Sequence, residues 1–377
     1  MKKRVLSKWI ASSALLLTVV GSSTLVAQAE DHTGNYIIGF GETDEAKAFS
    51  SGSNEMSAQA NEMNIQVEEE YEHVPYLSVE LESEEVDSVE ALEEVEFVEP
   101  DYQVQAFEQA IPPGVENVGA LVSHYRGELG AGADVAIIDS GIAAHEDLNV
   151  VGGVSFVDSE PSYEDNNGHG THVAGTVAAL DNNHGVLGVS PAANLYAVKV
   201  LGSDGMGQNS DIIRGIDWAI ENDIDIANLS LGGPTPSQAL EDAVNRADNS
   251  GVLLVAATGN SGAGSVSYPA RYDSVLAVGA VDSSNQKANF SQYGEGLDIV
   301  APGVEIGSTY LGNSYHSLSG TSMASPHVAG VAALLKGQHP WLSNDEIRER
   351  LKETATPIGD ALYYGSGLVN ADAATHY

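Results

Sequence analysis

Cysteine is absent from the 377 residues, and positive charge is scarce. Without cysteine, the chain has no disulfides, thiol nucleophiles, iron–sulfur clusters or cysteine-ligated zinc. Only 15 Lys and Arg stand against 54 Asp and Glu, for a formal net charge of −39, which argues against a nucleic-acid-binding face and against anionic membranes as partners. Apolar residues nevertheless make up 42% of the chain, enough for a large core. The length favours two domains, or one large domain with an appendage.

The charges divide the chain into three segments. Residues 1–29 carry four bases and no acid, residues 30–107 carry 22 acids and one base, and residues 108–377 carry 32 acids and 10 bases. The first segment has a cationic start, an apolar run at 9–20 and small residues ending at Ala29, which predicts a secretory signal peptide cleaved after Ala29. The alternative is a membrane anchor, but the run is shorter than the roughly 18–20 residues that span a bilayer. No later stretch reaches that length, so we expect a soluble, secreted product.

Residues 30–107 have the pattern of a small α+β domain. Strand-like runs at 35–40, 76–81 and 95–99 surround segments with helical spacing at 55–70 and 84–92. A unit of this size with so much like charge is marginal alone and is expected to need a partner surface.

From residue 108 onward, apolar strands alternate with helices. The strand candidates are continuous apolar runs, which is typical of strands buried on both faces; they lie at 134–138, 194–200, 224–229, 252–257, 275–281 and 297–300. The helix candidates lie at 169–180, 210–222, 237–249, 321–338 and 344–353. This order predicts an α/β fold with a doubly wound, mostly parallel sheet. In such sheets the chemistry lies outside the carboxyl ends of the strands.

Two residues suited to acid–base chemistry lie at such places. Asp139 directly follows a buried strand, where a carboxylate can orient an imidazole, although an ordinary cap or turn aspartate fits equally well there. His169 opens a predicted helix between Gly168 and Gly170, which leave its ring accessible. A metal pair with His172 is the alternative, but zinc-protease helices carry a glutamate in His-Glu-x-x-His that is missing here. We therefore predict that His172 is a packed structural histidine.

Ser322 opens another apolar helix, where the helix dipole and a backbone N–H favour a developing oxyanion. It is not the Gly-x-Ser-x-Gly elbow of α/β-hydrolases, because Ala324 takes the last position. Alone, such a serine is more often a helix cap. The chain order of Asp139, His169 and Ser322, however, matches the subtilisin order of a catalytic triad.

The segments around these residues carry a family resemblance. The motifs AIIDSGI at 136–142, NGHGTHVAGT at 167–176 and GTSMASPHVAG at 320–330 resemble the subtilisin family of secreted serine proteases, and bacillus-type alkaline subtilisins in particular. The resemblance extends through essentially all of residues 108–377. Ser325 stands where threonine is commoner and Thr258 where serine is usual; neither position has a triad role.

The resemblance implies a mechanism. Ser322 attacks the scissile carbonyl, His169 takes its proton and later gives it to the leaving amine, and Asp139 holds the tautomer of the ring. The Asn260 amide and the Ser322 backbone N–H form the oxyanion hole. Without the triad, Asn260 would read equally well as a turn residue after a strand.

Two further segments, residues 205–207 and 230–232, resemble the backbone segments that flank bound substrate in this family. An extended peptide would add to them as a strand through main-chain hydrogen bonds. The implied substrate-binding residues are Gly205, Met206, Gly207, Ser230, Leu231, Gly232, Ala257, Thr258 and Gly259. The pocket wall of Ser230, Ala257, Thr258 and Gly259 is small and uncharged, which predicts broad specificity with an apolar or aromatic preference before the cut. As a phosphate cradle, Gly205-x-Gly207 lacks a third glycine and a Lys-Ser/Thr pair.

The resemblance also implies calcium, which prefers oxygen ligands. The implied strong site takes the side chains of Gln109, Asp147 and Asn182 and the carbonyls of Leu180, His184 and Val186. A polar surface loop is the alternative. A weaker second site, for calcium or sodium, is implied at the carbonyls of Ala270, Tyr272 and Val275.

Residues 30–107 resemble the family's propeptide, a folding assistant and inhibitor, with Phe107 lying in the apolar pocket as a product. Cleavage after Phe107 leaves residues 108–377, a catalytic domain of 270 residues. We therefore expect a secreted, calcium-stabilised, monomeric serine endopeptidase that acts on protein and peptide substrates and is made as an autoprocessed preproenzyme. A catalytically silent binding protein and a metalloprotease are the alternatives. The remaining −22 of residues 108–377 is interpreted as an adaptation to saline or alkaline surroundings.

Overall fold

The computed structural model describes residues 34–40, 60, 65–71, 73–92, 95–101 and 109–376. The chain divides into two compact units, Met1–Gln105 and Ala106–Tyr377. The predicted signal peptide at 1–29 and the predicted processing site after residue 107 lie outside the described residues. Among the described residues, no helix combines the length and the apolar character needed to cross a membrane.

The first unit contains a four-stranded antiparallel sheet in the order β2-β3-β1-β4. Its described elements are β1 (Gly34–Phe40), β2 (Gln66–Glu70), β3 (Tyr76–Leu81), α1 (Ser83–Glu90) and β4 (Val95–Pro100). Ile38, Leu77, Val79 and Leu81 form the centre of its core. The α+β prediction for this segment is confirmed.

One element of the first unit was predicted wrongly. The helix expected at 55–70 does not extend over its last five residues, because Gln66–Glu70 forms the edge strand β2. Val67 lies opposite Val79 of β3 and packs against the core, while the glutamates point largely to solvent. Pairing with a buried strand outweighs the weak helix propensity of a short acidic run. Ala60 is helical, and residues 61–64 lie outside the described part of the chain.

The second unit is built on a seven-stranded sheet whose strands all pair in parallel, in the order β11-β10-β9-β8-β5-β7-β6. The strands are β5 (Asp134–Asp139), β6 (Val150–Ser155), β7 (Asn194–Lys199), β8 (Ile226–Leu229), β9 (Leu253–Ala257), β10 (Val275–Val281) and β11 (Ile299–Pro302). A separate antiparallel hairpin joins β12 (Ile306–Tyr310) to β13 (Ser314–Leu318). The predicted parallel sheet is confirmed, and all six predicted strands are present within two residues. Strand β6 was missed because it is a half-exposed edge strand that contains two glycines and no continuous apolar run.

Nine helices of the second unit surround or flank the sheet within the described residues. They are α2 (Pro113–Asn117), α3 (Ala120–Tyr125), α4 (His169–Ala178), α5 (Asn209–Glu221), α6 (Gln238–Asn249), α7 (Thr321–Gln338), α8 (Asn344–Glu353), α9 (Ala361–Tyr364) and α10 (Ala371–Thr375). The five predicted helices correspond to α4–α8 within two residues at each end. The other four are too short for helical periodicity to show in the sequence.

Successive strand residues face opposite layers of helices. In β5, Val135 and Ile137 belong to the core cluster that contains α4 and α7, whereas Ala136 and Ile138 belong to the cluster that contains α5 and α6. Helices α4 and α7 are both enclosed, since nine of ten and 14 of 18 residues respectively are buried. A residue at the start of α7 is therefore held rigidly against the carboxyl ends of the strands.

Candidate active site

The site begins where β5 ends. Asp139 is the last residue of that strand and is fully buried. Its Oδ1 accepts a hydrogen bond from the backbone N–H of Ser140 at 2.7 Å and from Nδ1 of His169 at 2.8 Å. Its Oδ2 has no partner among the described residues. A carboxylate in this position holds the imidazole ring in one orientation.

Helix α4 can begin beside Asp139 only because position 170 is glycine. A Cβ on Gly170 would lie 2.1 Å from the carbonyl oxygen of Gly141, well inside van der Waals contact. The absence of that atom lets the first turn of the helix approach the end of β5. His169, the first residue of α4, is thereby placed next to Asp139.

The environment of His169 determines which ring nitrogen carries the hydrogen and raises the pKa of the ring. A carboxylate only accepts hydrogen bonds, so Nδ1 carries the hydrogen and Nε2 of the neutral ring is an acceptor. Burial lowers the pKa of His169, but the negative charge of Asp139 and its hydrogen bond raise it by more, so the net pKa lies above its usual value. The ring remains 29% exposed and lines a cleft. It is therefore suited to take up a proton from a neighbouring group.

A buried carboxylate that the motif search missed supports this arrangement. Asp165 accepts hydrogen bonds from the backbone N–H groups of Gly168 and Thr171 and from the hydroxyls of Ser140 and Thr171. It ties the residue after β5 to the start of α4. The available sequence signal was an aspartate four residues before a helix start, which is too common to identify it.

Ser322 is the second residue of α7 and lines the same cleft as His169. Its Oγ donates to the carbonyl oxygen of Ser230 at 3.0 Å, and the Ser230 hydroxyl donates in return to the Ser322 carbonyl at 2.8 Å. The structure thus brings Asp139, His169 and Ser322 to one site, while the serine hydrogen is directed at Ser230. Catalytic hydrogen bonds are often long or misaligned in unliganded sites and form on substrate binding.

Asn260 lies beside Ser322 with its amide orientation determined by its neighbour. Its Oδ1 accepts from the backbone N–H of Thr321 at 2.8 Å and from the Thr321 hydroxyl at 2.9 Å. Because a backbone N–H can only donate, the oxygen must face Thr321 and Nδ2 is left to donate elsewhere. Asn260 also lines the cleft, so that donor is available to a bound group.

The cleft has a volume of about 850 Å³. Eight of the nine residues predicted to bind substrate line it: Gly205, Met206, Gly207, Ser230, Leu231, Gly232, Ala257 and Gly259. Thr258 does not line it, because its side chain is fully buried and its hydroxyl donates to the carbonyl oxygen of Gln292. None of the described lining residues is Asp, Glu, Lys or Arg.

Sequence reasoning missed one wall of this cleft. Ser267, Tyr268, Pro269 and Gln292 also line it. The Gln292 side chain donates to the carbonyl oxygen of Ser265 at 2.5 Å and to the Ser267 hydroxyl at 3.1 Å. These residues come from two loops without a motif, and only the folded chain brings them together.

The predicted calcium ligands converge at a loop after α4. The Gln109 amide lies 2.5 Å from the carbonyl oxygen of Leu180 and 3.2 Å from that of Val186. The Asp147 carboxylate accepts from the Asn182 amide at 3.1 Å and from the Val186 backbone N–H at 2.9 Å. Burial, the largest influence, raises the pKa of Asp147 in spite of these hydrogen bonds. His184, whose carbonyl was also expected to be a ligand, donates its backbone N–H to Asn182 in the same loop.

The second predicted ion site lies in the segment 270–275, which ends at the first residue of β10. The Tyr272 carbonyl oxygen accepts from the backbone N–H of Val275 at 2.9 Å, and the side chains of Ala270, Tyr272 and Val275 are buried.

His172 is packed as predicted. It is fully buried, and its Nε2 lies 2.9 Å from the carbonyl oxygen of Ile306. Burial lowers the pKa of His172 to about 4, so it remains neutral.

Comparison with known proteins connects this geometry to a family. The model of the Subtilase family matches residues 130–367, more than half of the chain. The chain belongs to the subtilase family. A second model, Peptidase inhibitor I9, matches residues 35–107 of this subtilase. The protein is accordingly a serine endopeptidase made as a proenzyme, with an inhibitor domain ahead of the catalytic domain, as the sequence predicted.

Curated relatives of this subtilase cover most of its length. M-protease of Shouchella clausii (strain KSM-K16) is 53% identical over 378 residues, which is 99% of this chain and 100% of the relative. Alkaline elastase YaB of Bacillus sp. (strain YaB) is 50% identical over 374 residues, 98% of this chain and 99% of the relative. Subtilisin Savinase of Lederbergia lenta is 61% identical over 267 residues, 71% of this chain and 99% of the relative.

Proposed function

We propose that Asp139, His169 and Ser322 form the triad of this subtilase. The observation that carries the proposal is the 2.8 Å contact between His169 Nδ1 and Asp139 Oδ1, in the cleft that Ser322 also lines. Ser322 Oγ gives up its hydrogen bond to the Ser230 carbonyl and attacks the scissile carbonyl carbon, while Nε2 of His169 takes the serine proton. His169 then protonates the leaving amine, and water hydrolyses the acyl-enzyme by the same steps in reverse order. Asp139 stabilises the imidazolium that forms in each half-reaction.

The oxyanion hole is assigned to the Nδ2 amide of Asn260 and the backbone N–H of Ser322. The support for Asn260 is its fixed orientation, because Thr321 holds the oxygen side of its amide. The support for Ser322 is its place in the first turn of α7, where backbone N–H groups lack helical partners. Donors positioned before the reaction stabilise the charge that develops on the carbonyl oxygen.

Substrate is proposed to bind as an extended strand between the segments 205–207 and 230–232. Both segments line the cleft, and residues 206 and 207 are exposed along its edge. Main-chain hydrogen bonds supply affinity without a sequence requirement. The small, uncharged walls favour an apolar or aromatic side chain before the cut, so we propose broad specificity with that preference.

The loop after α4 is proposed to bind calcium. The residues fit the ion: the buried Asp147 carboxylate has no cationic partner among the described ion pairs, and two carbonyl oxygens lie close to the Gln109 amide. Turning the amides of Gln109 and Asn182 presents oxygens in place of nitrogens, which completes a set of hard ligands. The bound ion would neutralise Asp147 and cross-link residue 109 to the loop. A weaker site for calcium or sodium is proposed at the carbonyls of Ala270, Tyr272 and Val275.

Removal of calcium from the mature enzyme is expected to lower its thermal midpoint by roughly 5 °C or more. A ligand at 100 times its Kd that binds only the folded state contributes about 2.7 kcal/mol, and each kcal/mol shifts the midpoint of a domain of this size by about 2–4 °C. Differential scanning fluorimetry with calcium, with magnesium and with excess chelator measures the shift. The variant Asp147→Asn should have, in all three conditions, the low midpoint that the parent enzyme has in excess chelator. An unchanged midpoint of the parent enzyme in excess chelator would refute the site.

Processing is proposed to follow the charge segments of the chain. The signal peptide is removed after Ala29, the protein is secreted, and the inhibitor domain is cut away after Phe107 by the enzyme itself. The match to the inhibitor family ends at residue 107, which supports this boundary. The mature enzyme is proposed to act as a monomer on protein and peptide substrates.

Mass spectrometry of the secreted protein after labelling with a fluorophosphonate tests both the nucleophile and the boundary. We expect an intact mass of residues 108–377 plus one adduct, and a peptide map that places the adduct on Ser322, because only an activated serine reacts. Hydrolysis should be abolished by the label and survive a zinc chelator. Inhibition by the zinc chelator without labelling would instead support a metalloprotease, and a start far from residue 108 would refute the boundary.

A further inference from the structure

A fully buried ammonium group lies beside the end of β5, where Lys199 is in register with Asp139. Lys199 is the last residue of β7 and has no solvent exposure. Its Nζ lies 2.9 Å from Oε2 of Glu160 and donates to the carbonyl oxygen of Ser140 at 2.7 Å. Burying a charge is costly unless it is paired and hydrogen-bonded, and replacing such a pair by apolar residues is often neutral for stability. We therefore expect the pair of Lys199 and Glu160 to have a role other than stabilising the fold.

The other oxygen of Glu160 contacts a different segment. Its Oε1 accepts from the backbone N–H of Ser203 at 2.8 Å, and the Asn166 amide donates to Oε2 at 3.3 Å. The Ser203 N–H first, and the Lys199 ammonium second, lower the pKa of Glu160 to about 2. The carboxylate consequently stays ionised at neutral and alkaline pH.

Ser203 lies in the segment 202–207, which forms one edge of the cleft. Residues 203, 204, 206 and 207 are exposed, so packing contributes little to holding this edge in place. Within the segment, the Gly202 N–H donates to the Met206 carbonyl at 2.9 Å. Ser203 connects it to the rest of the unit, through its N–H to Glu160 and through its carbonyl to the Asn167 side chain at 3.0 Å.

The opposite end of this network reaches Asp139. Ser140, whose carbonyl Lys199 contacts, donates its own N–H to Asp139 Oδ1 at 2.7 Å. A continuous series of hydrogen bonds and one ion pair thus runs from Asp139 through Lys199 and Glu160 to the exposed cleft edge. Its two ends are the proposed triad and the segment 202–207, beside which the substrate is proposed to bind.

We propose that Glu160, paired with Lys199, is a positioning residue that holds the segment 202–207 through the Ser203 N–H so that an extended peptide lies in register with Ser322. The proposal rests on the proposed function, in which this segment binds substrate as a strand. Loss of the Glu160 oxygen should therefore weaken use of long substrates while leaving the chemistry at the triad intact.

The test compares two double variants that differ only in the side chain at 160. Glu160→Ala/Lys199→Met and Glu160→Gln/Lys199→Met both lack the ion pair, but only glutamine retains an oxygen for the Ser203 N–H. Each is assayed as mature enzyme on two p-nitroanilide substrates. The long one is a tetrapeptide ending in Phe, and the short one is acetyl-Phe. The measured quantity is the ratio of kcat/KM for the long substrate to kcat/KM for the short one. We expect this ratio to fall about tenfold in the alanine variant, mainly through KM, and to stay within about twofold of the parent in the glutamine variant.

Leu351→Ala serves as the stability control, because Leu351 is buried in α8 and does not line the cleft. It should lower the thermal midpoint without moving the ratio. A ratio that is unchanged in the alanine variant, or that falls equally in both double variants, overturns the positioning role and leaves the proposed function standing. A parent enzyme that does not prefer the long substrate would instead contradict the proposed substrate strand.

Discussion

Ser322→Ala is expected to lower kcat on casein and on a chromogenic peptide by about 10⁶-fold, the factor known for loss of the serine in a related subtilisin. The reason is that the acyl-enzyme cannot form without the Oγ nucleophile. The fold should survive, because the hydroxyl makes a single hydrogen bond, to the Ser230 carbonyl, in a half-open cleft. Since the same nucleophile is proposed to cut after residue 107, the uncleaved precursor should accumulate.

The control for this variant is Ser319→Ala. Ser319 is exposed three residues before Ser322, and its hydroxyl accepts from the Glu305 N–H, outside the proposed machinery. We expect processing and kcat within about twofold of the parent. Turnover by Ser322→Ala at the parent's rate would overturn the mechanism, and loss of activity in both variants would point to damaged folding of this segment.

Asp139→Asn is expected to lower kcat by about 10⁴-fold. An asparagine amide can donate to Nδ1 of His169, which would place the ring hydrogen on Nε2, where it cannot accept the serine proton. The donating amide nitrogen would take the place of Oδ1, which now accepts from both the Ser140 N–H and His169 Nδ1, so this orientation loses the 2.7 Å bond from Ser140. Titration of the active serine with a fluorophosphonate separates slow chemistry from loss of folded enzyme.

The same variant should move the acid limb of the pH profile. Activity requires neutral His169, and the charge of Asp139 keeps its pKa above the usual value despite burial. The parent therefore loses activity as the pH falls through this raised pKa. Without the charge, burial lowers the pKa, so the residual kcat/KM of Asp139→Asn should persist to lower pH than that of the parent. An acid limb at the parent's position would show that Asp139 does not control the ionisation of His169.

The predictions from sequence were right where the hydrophobic pattern of a segment matched its burial in the fold. Helix α7, helix α8 and strand β10 have the predicted bounds, because β10 is buried at every position, α7 at 14 of its 18 residues, and α8 begins at a clear cap, Ser343. Pattern reasoning failed at the sheet edges. Strand β2 is acidic and strand β6 contains two glycines, and both exist because a neighbouring strand offers hydrogen-bond partners.

For the site, the residue types and their order could be read from the chain alone, and the family motifs pointed to Asp139, His169, Ser322 and Asn260. It could do so because each follows a strand or opens a helix, and such positions meet at one edge of a parallel sheet. The groups that surround these residues become apparent only in the folded chain. Lys199 and Glu160 are 39 residues apart, and Gln292 is 25 residues from Ser267, yet each pair is in direct contact. Such pairings depend on how loops cross at the carboxyl ends of the strands, and no local periodicity or motif encodes that crossing.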